Sequence, residues 1–178
     1  GTTVTERAHV VVGADGRYSL VADAVGAKEY DTKPKLLASY YSYWSDVPLD
    51  GRFGNWVRPY RGMAAWPTND GLTLVIAGWP YREFEANRTD VERHFYETLD
   101  TAPEFAERVR AGTREERFVG AAVPGYFRTP FGPGWALVGD AGYNTDYITA
   151  QGITDAFLHA ELCARALHET LAGEREVV

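Results

Sequence analysis

The sequence predicts an α+β protein with an α/β element, in which an antiparallel sheet carrying two helices interrupts a body of buried strands and one long helix. Three observations lead there. Two β-like runs, Trp56 to Trp66 and Leu72 to Trp79, flank Pro67-Thr68-Asn69-Asp70-Gly71, whose Asp-Gly pair signals a hairpin rather than a βαβ crossover. Two Thr-x-x-Glu boxes then open short amphipathic stretches. Finally, Trp135-Ala136-Leu137-Val138-Gly139 forms an apolar run that a loop separates from a helical pattern.

Taken in order, Thr2–Arg7 supplies a possible first hairpin strand, and Val10-Val11-Val12-Gly13 reads as a short buried strand entering Ala14-Asp15-Gly16. Ser19 reads as a turn or helix cap. From Lys35 to Val47 the chain is aromatic, with Tyr40, Tyr41, Tyr43 and Trp44 on alternating faces of a strand. The box Thr89-x-x-Glu92 opens a helix with Val91, Phe95 and Leu99 at i+4 spacing, and Asn87-Arg88-Thr89 reads as its approach. Thr101-x-x-Glu104 opens a second helix with Phe105 and Val109 on one face and Gly112 as its stop. Arg117 to Ala122 returns as a strand, Pro124 to Gly134 is rich in turns, and Asp140 to Gly152 is a loop. The last helix, Ile153 to about Leu171, places Ile153, Phe157, Ala160, Ala164, Leu167 and Leu171 on a shared face.

Composition narrows the function classes. A net charge of −7 lacks the clustered Lys and Arg that phosphate backbones require, so nucleic acid is not the expected partner. The single cysteine, Cys163, excludes an internal disulfide framework and reads as an inert small hydrophobe. His9, His94, His159 and His168 have no metal-ligand spacing, and Ser19 lacks a hydrolase nucleophile elbow. No apolar run reaches the roughly 18–20 residues of a membrane span, and no secretory signal is present, so a cytoplasmic protein handling a small molecule is expected.

The chemistry concentrates at Gly139-Asp140. A glycine after a strand lets the backbone approach a ligand closely, and Asp140 offers a carboxylate to ribose or ribityl hydroxyls. The helix opened by Gln151-Gly152 adds free N–H groups and about half a positive charge, which suits an anionic cofactor.

The run Gly134-Trp135-Ala136-Leu137-Val138-Gly139-Asp140-Ala141-Gly142-Tyr143, continued by Thr149-Ala150-Gln151-Gly152-Ile153-Thr154-Asp155-Ala156, resembles the second FAD motif of the para-hydroxybenzoate hydroxylase-like flavoprotein monooxygenases. Val10-Val11-Val12-Gly13-Ala14-Asp15-Gly16-Arg17-Tyr18-Ser19 resembles the same family's other internal fingerprint, and the two stand in the family's order. The resemblance implies a Rossmann-like FAD-binding domain, residues 1–29 and 126–178, interrupted by an antiparallel-sheet substrate domain, residues 30–125. It implies that Asp140 takes the ribityl chain while Gly139 lets the backbone approach the cofactor, that Ala150, Gln151, Gly152 and Ile153 lie against the isoalloxazine, and that Asp15 serves FAD and the nicotinamide cofactor's pyrophosphate. Tyr41, Tyr43 and Trp66 are the candidate wall of an aromatic substrate cavity. NAD(P)H is the implied reductant, and hydroxylation of an aromatic or polyketide-like small molecule is the implied reaction. The cofactor carries the chemistry, so no general base is named.

Three positions depart from the family pattern: Ala22 stands where an Arg is usual, Tyr143 where a His is common, and Tyr147 where a Pro is ordinary. The Gly-x-Gly-x-x-Gly pyrophosphate cradle is absent from the 178 residues. The chain is therefore expected to be an incomplete portion of an enzyme, inactive by itself, with self-association invited by apolar surface at Val10–Val12 and Trp135–Val138. A flavin-dependent halogenase or prenyl reductase shares the scaffold, although a halogenase is expected to carry a lysine-bearing cavity and only Lys28, Lys33 and Lys35 occur. A non-catalytic binding module is the remaining alternative, and FAD uptake separates it from the enzymes.

Overall fold

The structure, a computed structural model, describes residues 2–173. Residues 174–178, assigned above to the last segment of the cofactor domain, lie outside the described residues. In chain order, β1 (Val11–Gly13), α1 (Leu20–Val25) and β2 (Glu29–Lys33) lead to the long strand β3 (Leu37–Ser45). Then come β4 (Gly54–Arg58), β5 (Arg61–Pro67) and β6 (Thr73–Pro80), followed by α2 (Phe84–Asn87), α3 (Val91–Leu99) and α4 (Pro103–Ala111). The strands β7 (Thr113–Arg114), β8 (Val119–Ala121), β9 (Gly125–Arg128), β10 (Phe131–Gly132), β11 (Trp135–Leu137) and β12 (Tyr143–Asn144) precede α5 (Gly152–Leu171). The described residues divide into two compact units, one made of residues 2–34 with 124–173 and the other of Lys35–Val123.

The unit Lys35–Val123 is an antiparallel sheet in the order β4-β5-β6-β3-β7, with β8 also on β3. The Asp-Gly hairpin forms between β5 and β6. Asp70 and Gly71 both take left-handed backbone angles (φ 57° and 72°), and Thr68 N–H donates to Leu72 O. The Trp56–Trp66 run is two strands rather than one, because the chain reverses at Tyr60, where φ is 59°. Strand alternation then sorts the side chains. Ala38, Trp44, Met63, Ala65, Val75, Ala77 and Trp79 join Phe95, Leu99, Phe105, Ala106 and Val109 of the helices in one buried cluster. Trp44 stacks on Phe95 with ring centroids 5.5 Å apart, and neither ring is more than 1% exposed. Burying a ring of that size contributes roughly 1.5–3 kcal/mol.

The apolar spacing of both helices is as the sequence predicts, but neither cap is. Asp90, not Thr89, caps α3, its carboxylate accepting from Arg93 N–H, while the Thr89 hydroxyl donates to Ala86 O. For α4 the cap position is Ala102, with Pro103 opening the helix and the Thr101 hydroxyl turned back to Thr98 O. Each Thr is one residue early because the preceding turn claims its hydroxyl. Gly112 ends α4 with extended backbone; a Cβ there would stand 2.6 Å from Ser45 O, so close approach requires the glycine.

In the other unit, β1 pairs in parallel with β11, and β10 adds antiparallel to β11. A second small sheet has the order β12-β9-β2. Tyr30–Lys33, assigned to the inserted sheet from sequence, pair instead with β9 of this unit. Thr2–Arg7 forms no strand and is exposed. Val11 and Val12 are 50% and 41% exposed, so the expectation of a buried strand holds for Gly13 but not for the valines. Ala136, Leu137 and Val138 are buried.

The long helix α5 forms where expected, yet with a different face turned inward. Ile153, Phe157 and Leu171 are exposed, whereas Ala156, His159, Cys163 and Leu167 are half-buried. The close approach of Ala156 to Gly139 sets that rotation. Burial pushes the Cys163 thiol pKa up. No helix among the described residues is long and apolar enough to cross a membrane.

Candidate functional site

The parallel pairing of β1 and β11 brings the two motifs singled out in the sequence to one sheet end. Gly13 lies opposite Leu137, and Val138 N–H donates to Gly13 O at 2.9 Å. The two loops that follow, 14–19 and 139–142, thus leave from adjacent carboxyl ends, where ligands of α/β sheets bind.

The first loop closes on α1. Asp15 Oδ2 accepts from the N–H groups of Leu20 and Val21 at 2.8 and 3.2 Å, and Ser19 Oγ accepts from Ala22 N–H at 2.9 Å. Ser19 is therefore the helix cap. The hydrogen bond from Ser19 chiefly, with those amides, holds the Asp15 carboxyl below the ordinary aspartate range. Asp15 is exposed but spends one oxygen on the helix. Ala22, at the position where the family usually carries Arg, is buried against Leu137 and Ala141.

The second loop is a 3-10 turn, Gly139–Ala141. Gly139 takes φ +57°, and a Cβ there would meet Ala156 Cβ at 3.3 Å, so the glycine lets the turn sit on the second turn of α5. Asp140 is exposed, and its carboxylate has no hydrogen bond or ion pair among the described residues. Further on, Tyr143 rests against Phe127 (4.8 Å) and edge-on to His159 (5.9 Å). Asp146 accepts from Ile148 N–H, and Ala150 is held at φ +52° immediately before the helix. Among the described residues Gln151 gives α5 no side-chain cap, so that position leaves first-turn N–H groups without one, with Asp155 the acidic residue of that turn. A free carboxylate acceptor and an uncapped 20-residue helix held together through Gly139 fit a ligand that bears both hydroxyls and negative charge.

Two residues that the sequence reading missed join these loops. Tyr126 OH reaches Arg17 O (3.2 Å) and Asp140 O (3.4 Å), and Arg128 donates to Arg17 O and Ala141 O. Both lie on β9, inside a stretch read as turns. The Tyr-Phe-Arg alternation at 126–128 was the available signal.

In the other unit, register places Tyr43 opposite Leu74 and Leu74 opposite Trp66, so Tyr43 and Trp66 share one row. Tyr41 stands two residues along the same face, its ring 6.2 Å from Tyr43, and Trp66 stacks on Phe53. All three candidate wall residues thus occupy the sheet face opposite the buried cluster. An open groove of about 430 Å³ lined by Trp56, Arg58 and Ala102–Phe105 lies on the helix-covered side instead. There Arg58 Nε donates to Thr101 O and Trp56 stacks on Phe105, so these groups serve the fold. No group of three His, Cys, Asp or Glu that could hold a metal occurs among the described residues.

No protein-family profile matches the chain. It is similar to the tryptophan 2-halogenase of Chondromyces crocatus, 27% identical over 98% of this chain and 35% of that protein. Among solved structures, it is similar to the myxobacterial chondrochloren halogenase CndH (TM-score 0.83, 25% identity, 95% of this chain and 41% of that one). It is also similar to Pseudomonas aeruginosa PqsL in complex with 2-aminobenzoylacetate (TM-score 0.74, 22% identity, 94% of this chain and 47% of that one). The chain thus spans about a third of its curated relative and less than half of either structure. By strand order, motif placement and these likenesses, the chain is a partial span of the flavoprotein fold shared by FAD-dependent halogenases and hydroxylase-like FAD monooxygenases.

Proposed function

We propose that this chain is part of an FAD-dependent oxidoreductase that modifies an aromatic or polyketide-like small molecule, with halogenation as the first reading. The observation that carries it is the unpartnered Asp140 carboxylate beside the uncapped start of α5, in a fold whose relatives use FAD. Asp140 would accept from ribityl hydroxyls, the amides of Gly152 and Ile153 would face the electron-rich edge of the ring, and Asp15 would fix the neighbouring loop. Bound FAD would supply the redox chemistry, taking electrons from NAD(P)H and passing them to molecular oxygen. Tyr41, Tyr43 and Trp66 would form an apolar wall that orients an aromatic substrate and keeps water out.

Halogenation is put first on the likeness to CndH, whose 25% identity and TM-score of 0.83 exceed the 22% and 0.74 of PqsL; the brominase Bmp2 and the halogenase CmlS, at 18–20% identity and TM-scores of 0.68–0.74, do not exceed PqsL. Hydroxylation is the second reading, supported by the likeness to PqsL. The scarcity of lysine weighs little between them, because the chain spans so little of either relative. The test supplies the FAD-loaded protein with NAD(P)H, a flavin reductase, oxygen, chloride or bromide and a panel of aromatic acids and indoles, and reads products by mass spectrometry. A halogen isotope pattern supports the first reading, a single added oxygen the second. A full-length protein, carrying this span, that takes up no FAD contradicts both.

A further inference from the structure

The two cofactor loops are held in register by a third element, β9. We propose that Arg128, seated on the Tyr126 ring, is the positioning residue that locks the Ala14–Ser19 loop and the Gly139–Gly142 turn into one cradle and so aims the Asp140 carboxylate. The proposal rests on the flavin reading for its purpose, though not for its geometry.

One guanidinium reaches both loops. Its Nη1 donates to Ala141 O at 3.0 Å and its Nη2 to Arg17 O at 3.2 Å. The Nε and Nη2 groups also donate to Glu29 Oε1, at 3.2 and 3.0 Å. The Arg128 main-chain N–H donates to Gly142 O at 2.7 Å, and the guanidinium carbon stands 4.6 Å from the Tyr126 ring centroid. The Tyr126 hydroxyl adds its contacts to Arg17 O and Asp140 O. Three consecutive carbonyls, Asp140, Ala141 and Gly142, therefore bond to β9, while the Asp140 side chain is exposed.

The chemistry calls for arginine. Only a planar fork presents donors to two separate backbone oxygens and a carboxylate at once; a lysine ammonium is a point charge on a flexible stem. The Arg128 side chain is only 11% exposed, so Glu29 is needed to balance its charge. A residue that merely stabilised β2–β9 pairing would need the Glu29 bridge but not the two carbonyls of the cofactor loops.

The test compares wild type with Arg128→Met, Arg128→Lys and the milder Tyr126→Phe in the FAD-binding protein. FAD affinity is measured by flavin fluorescence, the bound-flavin environment by visible circular dichroism, and loop order by amide exchange of the flavin-free protein. The diagnostic amides are those of Gly142, Leu20 and Ala22. Arg128→Met is expected to weaken FAD binding roughly tenfold or more, to alter the flavin dichroism and to speed exchange at all three amides. Arg128→Lys is expected to fall short of rescue, and Tyr126→Phe to show the same pattern in smaller measure. Unchanged affinity of folded Arg128→Met, full rescue by Lys, or faster exchange confined to β2 and β9 overturns the proposal. A full-length wild type that binds no FAD overturns the flavin reading instead; exchange at the three amides then still decides whether Arg128 couples the loops.

Discussion

Replacing Gly139 by alanine isolates the backbone demand on which the candidate site is built. At φ +57° an alanine costs about 1–2 kcal/mol of left-handed strain. A stiffer unfolded chain returns about 0.4–1 kcal/mol of that. The new methyl also meets Ala156 Cβ at 3.3 Å and Ala156 Cα at 3.7 Å, closer than the helix accepts without shifting, so crowding adds to the cost. The net expectation is a loss of about 1–2 kcal/mol. Urea unfolding followed at the amides of Ala136 and Leu137 reads it in the unit concerned. Pairing the change with Ala156→Gly removes the crowding but not the strain. The double variant should therefore cost less than the two single changes added together, by the crowding share alone. The mirror experiment lies at Ala150, where an alanine already sits at φ +52°: Ala150→Gly should leave stability unchanged or raise it by up to about 1 kcal/mol. If Gly139→Ala costs less than about 0.3 kcal/mol, or if Ala150→Gly costs as much as Gly139→Ala, the left-handed turn described here is wrong.

Three further outcomes are expected. Phe95→Ala should destabilise the sheet-and-helix unit by about 3–5 kcal/mol, since Phe95 is fully buried between Trp44 and Phe118; a thermal-unfolding loss under about 1 kcal/mol would contradict that packing. Phe157→Ser on the outward face of α5 should stay within about 0.5 kcal/mol of wild type in the same assay, and a core-sized loss would restore the rotation expected from sequence. The Asp15 carboxylate is favoured by Ser19 and the amides of Val21 and Leu20, so its stabilisation is full above the ordinary aspartate pKa and drains as pH falls through the lower folded value. Carbon-detected titration of Asp15 should give a midpoint below that of a free aspartate, and Asp15→Asn should flatten the acid side of the stability curve; a midpoint at or above the free value refutes the contact.

What the sequence made legible was whatever depended on local chemistry. The Asp70-Gly71 hairpin, the i+4 spacing of Phe95 and Leu99, and the strand–Gly–Asp–helix order around Asp140 all follow from neighbours in the chain, and all stand in the structure. The errors arose where a distant partner decides. The caps moved to Asp90 and Ala102 because the preceding turns use the hydroxyls of Thr89 and Thr101. The inward face of α5 is set by the closeness of Ala156 to Gly139, which no helical pattern within Ile153–Leu171 encodes. Arg128 and Tyr126 bond to carbonyls more than a hundred residues away at Arg17, a contact without any signature at residues 124–134 beyond a short alternation. The motifs were readable as motifs; the strand that holds them together was not.

On the proposed reading, Gly139-Asp140 and the start of α5 form one flavin-holding surface. Deciding it takes an FAD titration of the isotopically labelled full-length protein followed by backbone amide resonances, in wild type and in Asp140→Asn. Shifts are expected at residues 14–19, 139–142 and 151–154, with Asp140→Asn weakening FAD binding by roughly tenfold, as loss of a charged hydrogen-bond acceptor implies. Flavin bound with those amides unmoved, or with affinity indifferent to Asp140, would contradict it.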